Sequence, residues 1–192
     1  MNKRFFLAAT SGALLALAGC ATSTGTSSGG DASPAAKRAS IDSAVDSALT
    51  NLYTQAPGSR DLTSAAKGVL VFPNVVSAGL GIGGTYGQGA LRVGGASVGY
   101  YSTAAASVGL IAGAESKQMF VLFMTQEALD KFRASPGWTA GVDASVTLVK
   151  VSADAMANTE LMKQTIVAYV LSKGGLMANI SLDGTKTSKL DL

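Results

Sequence analysis

The chain has 192 residues, with 15 Lys or Arg, 12 Asp or Glu and a formal net charge of +3. This length is typical of a single domain with its own apolar core. The chain contains no His and one Cys, which excludes catalytic triads with a His base and disulfides within the chain. A zinc site would have to use carboxylates alone.

The first residues have the pattern of a bacterial lipoprotein signal peptide. Lys3-Arg4 precede an apolar run, Phe5 to Ala18, and the run ends in Leu-Ala-Gly-Cys20, a lipobox. In this pattern the Cys20 thiol is thioether-linked to a diacylglycerol, and its amine can carry a further acyl chain such as palmitate. Residues 1–19 are therefore predicted to be cleaved. An ordinary signal peptide or an N-terminal anchor helix is the alternative interpretation.

The sequence around the cleavage site also predicts location and partners. Ala21 follows Cys20, where an Asp would signal retention at the inner membrane. We expect the mature protein to be anchored in the outer membrane, facing the periplasm. Loss of Lys3 and Arg4 lowers the sum of Lys and Arg from 15 to 13 against 12 Asp and Glu, a net charge of +1. So small an excess argues against nucleic acid as a partner.

A flexible tether and an amphipathic helix are predicted next. Residues 20–36 are rich in Ser, Thr, Gly and Ala without apolar periodicity, which is typical of a linker. From 36 to 55, apolar residues recur at steps of three and four and predict a helix, with Ser40 as its cap and Pro57-Gly58 at its end. Its polar face has few basic residues, which favours core packing over a membrane-surface helix. A second short helix is predicted at 61–66.

A run rich in glycine follows a short apolar strand, Gly68–Phe72, which we expect Pro73 to end. Glycines at 79, 81 and 84 satisfy G-x-G-x-x-G, but neither the helix nor the acidic residue of a dinucleotide-binding fold follows them. A helical glycine zipper is disfavoured, because repeated Gly destabilises a helix and Gln88 and Arg92 interrupt the apolar run. The alternation predicts a strand whose glycine face lets another backbone approach or lets the sheet bend.

Downstream of this run, alternating apolar residues and turn signals predict hairpins and one more helix. Thr125 is expected to cap a helix at 126–133, and residues 153–163 fit either a helix or a loop. The fold class is therefore α+β: one domain with a curved, largely antiparallel sheet or partial barrel of hairpins, an N-terminal helix and a second helix near 125–134. The predicted strands are 91–93 and 96–101 around Gly94-Gly95, 106–114 and 118–124 around residues 115–117, 142–151, and 165–171 and 176–182 around residues 173–175, with the tail turning at Asp183-Gly184.

The titratable residues do not form a catalytic pattern. Ser64 and Lys67 match Ser-x-x-Lys, but the companion motifs of such enzymes do not occur in the sequence. Carboxylates are sparse and unclustered, which argues against acid/base pairs and calcium loops. We therefore expect no enzyme, no metal and no cofactor. Tyr86, Tyr100 and Tyr101 are either a ligand-facing cluster or, more commonly for strand tyrosines, core and cross-strand pairs.

Several segments in order resemble the SYLF domain family over residues 37–192. They are AKGVLVFP (66–73), AGLGIGG (78–84) with Gly87-x-Gly89, SVG (107–109), FMT (123–125) with Ala128-Leu129-x-x-Phe132, GVDAS (141–145) and LSKGGL (171–176). Eukaryotic relatives, among them yeast actin-patch proteins, bind phosphoinositides, some through a basic N-terminal helix, and some bind actin. For a protein facing the periplasm, this resemblance implies a domain for phospholipid rather than for actin.

The resemblance and the predicted anchor together give a functional hypothesis. We expect a non-enzymatic domain that binds the head groups of anionic phospholipids or another amphiphile. The alternative is an envelope structural or interaction protein that binds another protein or an envelope polymer. Lipid phosphates pair with Lys and Arg side chains. The predicted lipid-binding residues are Lys37, Arg38, Arg60, Lys67 and Arg92.

Overall fold

The computed structural model describes residues 33–149, 155–172, 175–176 and 181–192. The predicted signal peptide, Cys20 and most of the tether lie outside the described residues, as do parts of the predicted strands 142–151 and 176–182 and of the turn at 173–175. Ala32–Leu192 forms one compact unit. Among the helices of the described residues, none has the length and apolarity needed to cross a membrane.

Four helices occur in the described residues: α1 (Pro34–Gln55), α2 (Ser59–Ala65), α3 (Gln126–Ala134) and α4 (Ala155–Met162). The prediction that Ser40 caps the first helix is wrong, because Ser33 caps it and Pro34 occupies its first turn, where a missing N–H costs nothing. The Ser33 hydroxyl accepts a hydrogen bond from the Ala36 amide at 3.2 Å. Thr125 caps α3 as predicted, accepting from the Ala128 amide at 3.3 Å.

The strands of the described residues form one curved sheet, and the predicted α+β fold is confirmed. The strands are β1 (Gly68–Val93), β2 (Ala96–Phe123), β3 (Gly137–Thr139), β4 (Thr147–Leu148), β5 (Ile166–Ser172), β6 (Gly175–Leu176) and β7 (Lys186–Leu190). Their order in the sheet is β3-β7-β2-β5-β4, with β1 on β2 and β6 on β5. All strand pairs are antiparallel except β4 with β5, which is parallel.

Two predicted strand breaks are wrong, because β1 and β2 form one long ribbon joined at Gly94-Gly95. Pro73 does not end the first strand: it lies in a β-bulge, where residues 73 and 74 face Gln118 alone and the absent proline N–H is not needed for pairing. Residues 115–117 do not form a turn either, because they pair with residues 75–77 of β1. The partner strand thus decides what the local turn signals leave open.

The C-terminal third also differs from the sequence prediction. Residues 141–143 form a turn in which the Asp143 carboxylate accepts the Thr139 amide proton at 2.6 Å. Only Thr147–Leu148 of the predicted strand 142–151 is a strand within the described residues. The tail after the predicted turn at Asp183-Gly184 forms β7, a strand that was not predicted, and pairs with both β2 and β3.

Glycines allow the β1–β2 ribbon to fold back on itself. A Cβ atom on Gly79 would overlap the Cα of Gly83, which marks a sharp bend opposite an irregularity of β2 at residues 109–111. Beyond the bend, a Cβ on Gly89 would overlap the carbonyl oxygen of Val71, and one on Gly87 would lie 2.9 Å from that of Asn74. The predicted role of these glycines in bending and close backbone approach is confirmed.

Both faces of the sheet are buried where β1, β2 and β5 lie side by side. On one face α1 contributes Ile41, Val45, Ala48 and Leu52, as its sequence spacing predicts. On the other face α3 contributes Leu129 and Phe132, whose ring centroid lies 4.8 Å from that of Phe123. Successive strand residues alternate between the two clusters, and so the sequence here is continuously apolar. Strand residues of the α1 side are Val69, Val71, Phe120, Leu122, Val167 and Tyr169; those of the α3 side are Leu70, Phe72, Val121, Phe123, Ile166 and Ala168.

Candidate functional site

An open groove lies between the first half of α1 and the bent ribbon. Its volume is about 650 Å³. The helix side is made by Ser40, Ile41 and Ala44, which share one face at steps of one, three and four residues. The floor is mostly small, uncharged or apolar, so the groove suits an apolar ligand such as an acyl chain. Its ribbon side is lined by Pro73, Asn74, Val76, Ala78 and residues 84–88.

Lys37 and Arg38 lie in the first turns of α1, beside this groove. Lys37 precedes Ser40, Ile41 and Ala44 by three, four and seven residues, so it lies on the helix face that lines the groove. It is half-buried, whereas Arg38 is exposed. The helix therefore brings one predicted phosphate-pairing cation to the groove and a second one next to it.

Arg92 is held by carboxylates of α1. Its guanidinium contacts the Asp46 carboxylate at 2.7 Å, and it donates to the carbonyl oxygens of Gly95 and Asp42 at 3.0 and 3.3 Å. The side chain is only 15% exposed, and its Nε finds no hydrogen-bond partner among the described residues. Arg92 thus ties the end of the ribbon to the helix. A lipid phosphate that bound Arg92, as the sequence predicts, would have to compete with the Asp46 carboxylate for the guanidinium.

The carboxylate of Asp42 joins the same network. It accepts hydrogen bonds from the Ser97 hydroxyl at 2.6 Å and the Tyr100 hydroxyl at 2.8 Å. Burial raises the pKa of the Tyr100 phenol above its ordinary value, the hydrogen bond to Asp42 raises it further, and nearby Arg38 acts in the opposite direction. Tyr100 therefore stays protonated and donates to Asp42 at neutral pH. The sequence left open whether Tyr100 faces a ligand or packs within the domain. In the structure its hydroxyl makes a contact between the ribbon and α1.

Arg60 lies at the other end of α1, and Lys67 follows α2. The Arg60 guanidinium stacks 4.3 Å above the ring of Tyr53, which belongs to the last turn of α1. Because 22 residues of helix extend about 33 Å, this end is far from Lys37. Lys67 is exposed, and its amide donates to the Phe123 carbonyl oxygen at 2.8 Å. The five predicted cations thus do not form one site.

The bend of the ribbon carries the most exposed apolar side chains near the groove. Leu80 is 84% exposed, Ile82 75% and Tyr86 53%. Tyr86 also lines the groove, so the exposed bend and the groove are continuous through it. Leu80 and Ile82 are absent from the sequence-predicted site, whereas Tyr86 belongs to the tyrosines considered as ligand-facing from the sequence. Their signal in the sequence is the lack of any Asp, Glu, Lys or Arg between Gly68 and Leu91.

A second cavity, of about 520 Å³, lies beside α3 and is more polar. Its lining includes Glu127, Lys131, Trp138 and Asp143. The Glu127 carboxylate and the Lys131 ammonium contact each other at 2.7 Å, and this contact holds the pKa of Glu127 below its ordinary value. Asp143 is engaged by the Thr139 amide. Because its charged side chains already have partners within the protein, this cavity is a weaker candidate for a ligand site than the groove.

The described residues define an α+β domain in which an apolar groove lies between a helix and a bent β ribbon. A family model with the description "Ysc84: Las17-binding protein actin regulator" matches residues 104–191, from the middle of β2 to the end of β7. This match is to the SYLF (Ysc84) domain family, and over residues 104–191 it confirms the resemblance predicted for residues 37–192. The family indicates, at a general level, lipid or protein interaction. A search of curated proteins finds no match to the chain.

Proposed function

We propose that this chain is a lipoprotein, anchored by Cys20 in the outer membrane and facing the periplasm, whose domain binds anionic phospholipid or another amphiphile without catalysis. The observation that supports it best is the apolar groove of about 650 Å³ beside Lys37. A groove for an acyl chain next to a cation for a phosphate matches the two parts of a phospholipid. The lipobox at Cys20 would hold the domain close to its ligand.

Vesicle sedimentation tests the lipid-binding part. The fragment 21–192 lacks the anchor but contains the whole compact unit Ala32–Leu192. It is mixed with vesicles of phosphatidylglycerol and phosphatidylethanolamine, or of phosphatidylcholine alone. We expect it to pellet with the anionic vesicles, because Lys37 and Arg38 are attracted to anionic head groups. Failure to pellet with either kind would overturn the proposal.

Charge reversal tests the cations of the groove. We expect Lys37→Glu with Arg38→Glu to weaken binding to anionic vesicles by up to about a thousandfold, since each cation near an anionic surface contributes about 1 kcal/mol and the two reversals together amount to about 4 kcal/mol. Lys186→Glu with Lys189→Glu is the charge-matched control, because both lysines are exposed, as Arg38 is, but lie on β7. Equal loss in the control would show a response to net charge and not to this site.

The anchor is tested in cells of the host. Metabolic labelling with a clickable fatty acid should tag the wild-type chain and leave Cys20→Ala untagged. The wild-type chain should fractionate with outer membranes, and the variant should be released with the soluble envelope fraction. Label on Cys20→Ala, or no label on the wild type, would contradict the predicted lipidation.

A protein partner is the second candidate, since the matched family is described by binding to a protein, Las17. For this chain the corresponding proposal is an envelope protein or polymer, because the proposed location contains no actin. Chemical crosslinking in intact envelopes separates the two candidates. A discrete protein adduct that survives charge reversal at Lys37 and Arg38 would favour the partner over the lipid.

A further inference from the structure

The bend of the ribbon is an apolar protrusion. Leu80 and Ile82 are 84% and 75% exposed at the place where Gly79 and Gly83 make their close contact. A single exposed apolar side chain is ordinary, but two of them two positions apart on a sharp bend form an apolar tip. The backbone contact between the two glycines fixes the position at which this tip is presented.

This part of the ribbon has little cover within the described chain. There, β7 pairs with residues 100–104 of β2 and β5 with residues 118–123, so the intervening segment opposite the bend pairs with β1 alone. Two-stranded ribbons have little stability of their own. An apolar tip on such a ribbon is costly in water and gains most from an apolar environment.

Charge is also missing around the tip. No Asp, Glu, Lys or Arg occurs from Gly68 to Leu91 or from Val93 to Ala114. All 27 charged side chains of the sequence lie outside these two stretches. Desolvation of a charge is the main penalty for entering a bilayer surface, and here that penalty is absent. The cations that could meet lipid phosphates, Lys37 and Arg38, lie at the nearby end of α1.

The sequence before α1 determines which apolar environment is within reach. Twelve residues separate Cys20 from Ser33, the cap of α1. At about 3.5 Å per residue, this segment spans at most roughly 45 Å when extended. The first half of α1 borders the groove and, through Tyr86, the bend. A lipid on Cys20 would therefore keep the bend within tens of ångströms of a bilayer.

We infer that the bend of the ribbon, with Leu80 and Ile82 at its tip, inserts into the interfacial layer of the bilayer. This inference rests on the proposed membrane-bound function and names the element that makes the contact. In the inserted state, Leu80 and Ile82 leave water for the acyl-chain boundary, while Lys37 and Arg38 face the head groups. The groove then opens beside the lipid rather than towards the periplasm.

Site-specific fluorescence tests the insertion. The fragment 21–192 contains no Cys, so Ile82→Cys can carry a single environment-sensitive nitrobenzoxadiazole probe. Val142→Cys is the matched control, because Val142 is 77% exposed but lies in the turn after β3. With phosphatidylglycerol and phosphatidylethanolamine vesicles, we expect a blue shift and a rise in emission for the probe at 82 and no change at 142. Binding without a change at 82, or with equal changes at both positions, overturns the inference but leaves the proposed function standing.

Replacement of the tip gives an independent readout. Leu80→Ser with Ile82→Ser should weaken vesicle binding at least about tenfold, and Val142→Ser should leave it unchanged. If no variant and no wild-type fragment binds vesicles, the proposed function and the inference both fail. A second copy of the chain is the competing occupant: sedimentation would then show a dimer that the serine variant abolishes while vesicle binding stays intact, and this result overturns the inference.

Discussion

The two halves of one β ribbon differ in how the protein uses them. The base consists of residues 68–72 of β1 and 119–123 of β2, which are covered by helix side chains on both faces. There β2 also pairs with β5 on its other side. At the bend, apolar Leu80 and Ile82 alternate with glycines, and their side chains are exposed. The comparison indicates that burial at the base supports the fold, whereas the bend is free to serve binding.

The largest expected effect separates base from bend directly. Phe120→Ala removes a fully buried ring from the α1 side of the core and should lower the free energy of unfolding by about 3–5 kcal/mol. Ile82→Ala, at the bend, should change it by less than about 0.5 kcal/mol. Urea denaturation followed by circular dichroism measures both. Similar losses for the two variants would contradict the division.

The next effect concerns the backbone contact that folds the ribbon over its base. In Gly89→Ala the new Cβ would overlap the Val71 carbonyl oxygen, so the two halves must separate, at a cost of about 3 kcal/mol. Gly84→Ala is the matched control on the same strand, because the nearest atom to its Cβ would be 4.0 Å away. We expect the melting temperature to fall for the first variant and to stay nearly unchanged for the second.

The buried part of the sheet should also make the free energy of unfolding depend on pH. Burial raises the pKa of Tyr169 from 10.0 to about 12. Since the folded state holds this proton more tightly than the unfolded state, its contribution is fully present below pH 10 and is lost as the pH rises towards 12. Two pKa units correspond to about 2.7 kcal/mol. The difference in unfolding free energy between wild type and Tyr169→Phe should therefore shift by this order between pH 9 and pH 12, whereas a constant difference would contradict the assignment.

The smallest expected effect concerns the attachment of α1 to the end of the ribbon. Asp42→Ala leaves the hydroxyls of Ser97 and Tyr100 without their acceptor and should cost about 1–2 kcal/mol. Asp191→Ala, at the exposed C-terminal end, is the control and should be nearly neutral. Urea titration of both variants gives the difference. An unchanged midpoint for Asp42→Ala would show that the network contributes nothing to stability.

Local signals in the sequence predicted the helices better than the strand boundaries. The apolar spacing of Ile41, Val45, Ala48 and Leu52 predicts the buried face of α1, and Thr125 predicts the start of α3. Pro73 misled the prediction, since a proline ends a strand unless a bulge accommodates it. That bulge depends on β2, more than forty residues away in the sequence.

The candidate site was predicted only in part, for a similar reason. Lys37 and Arg38 were predicted because residue type alone suggests phosphate pairing, and the helix spacing puts Lys37 on the face that lines the groove. Leu80 and Ile82 were missed, because an alternating glycine strand does not reveal which of its faces stays uncovered. Arg92 was grouped with the ligand-binding cations, yet its contact with Asp46 joins positions that only folding brings together.

The sequence by itself determined the local features of this protein: the helix periodicity of α1, the Gly94-Gly95 turn and the uncharged glycine-rich run, beside the pattern at Leu17–Cys20 from which a lipid anchor is proposed. These depend on residues close together in the chain. The tertiary structure decided that β1 and β2 are continuous, that the ribbon folds back over its base and that Leu80 and Ile82 stay exposed. These depend on pairing between distant segments, where the partner's backbone outweighs local propensity.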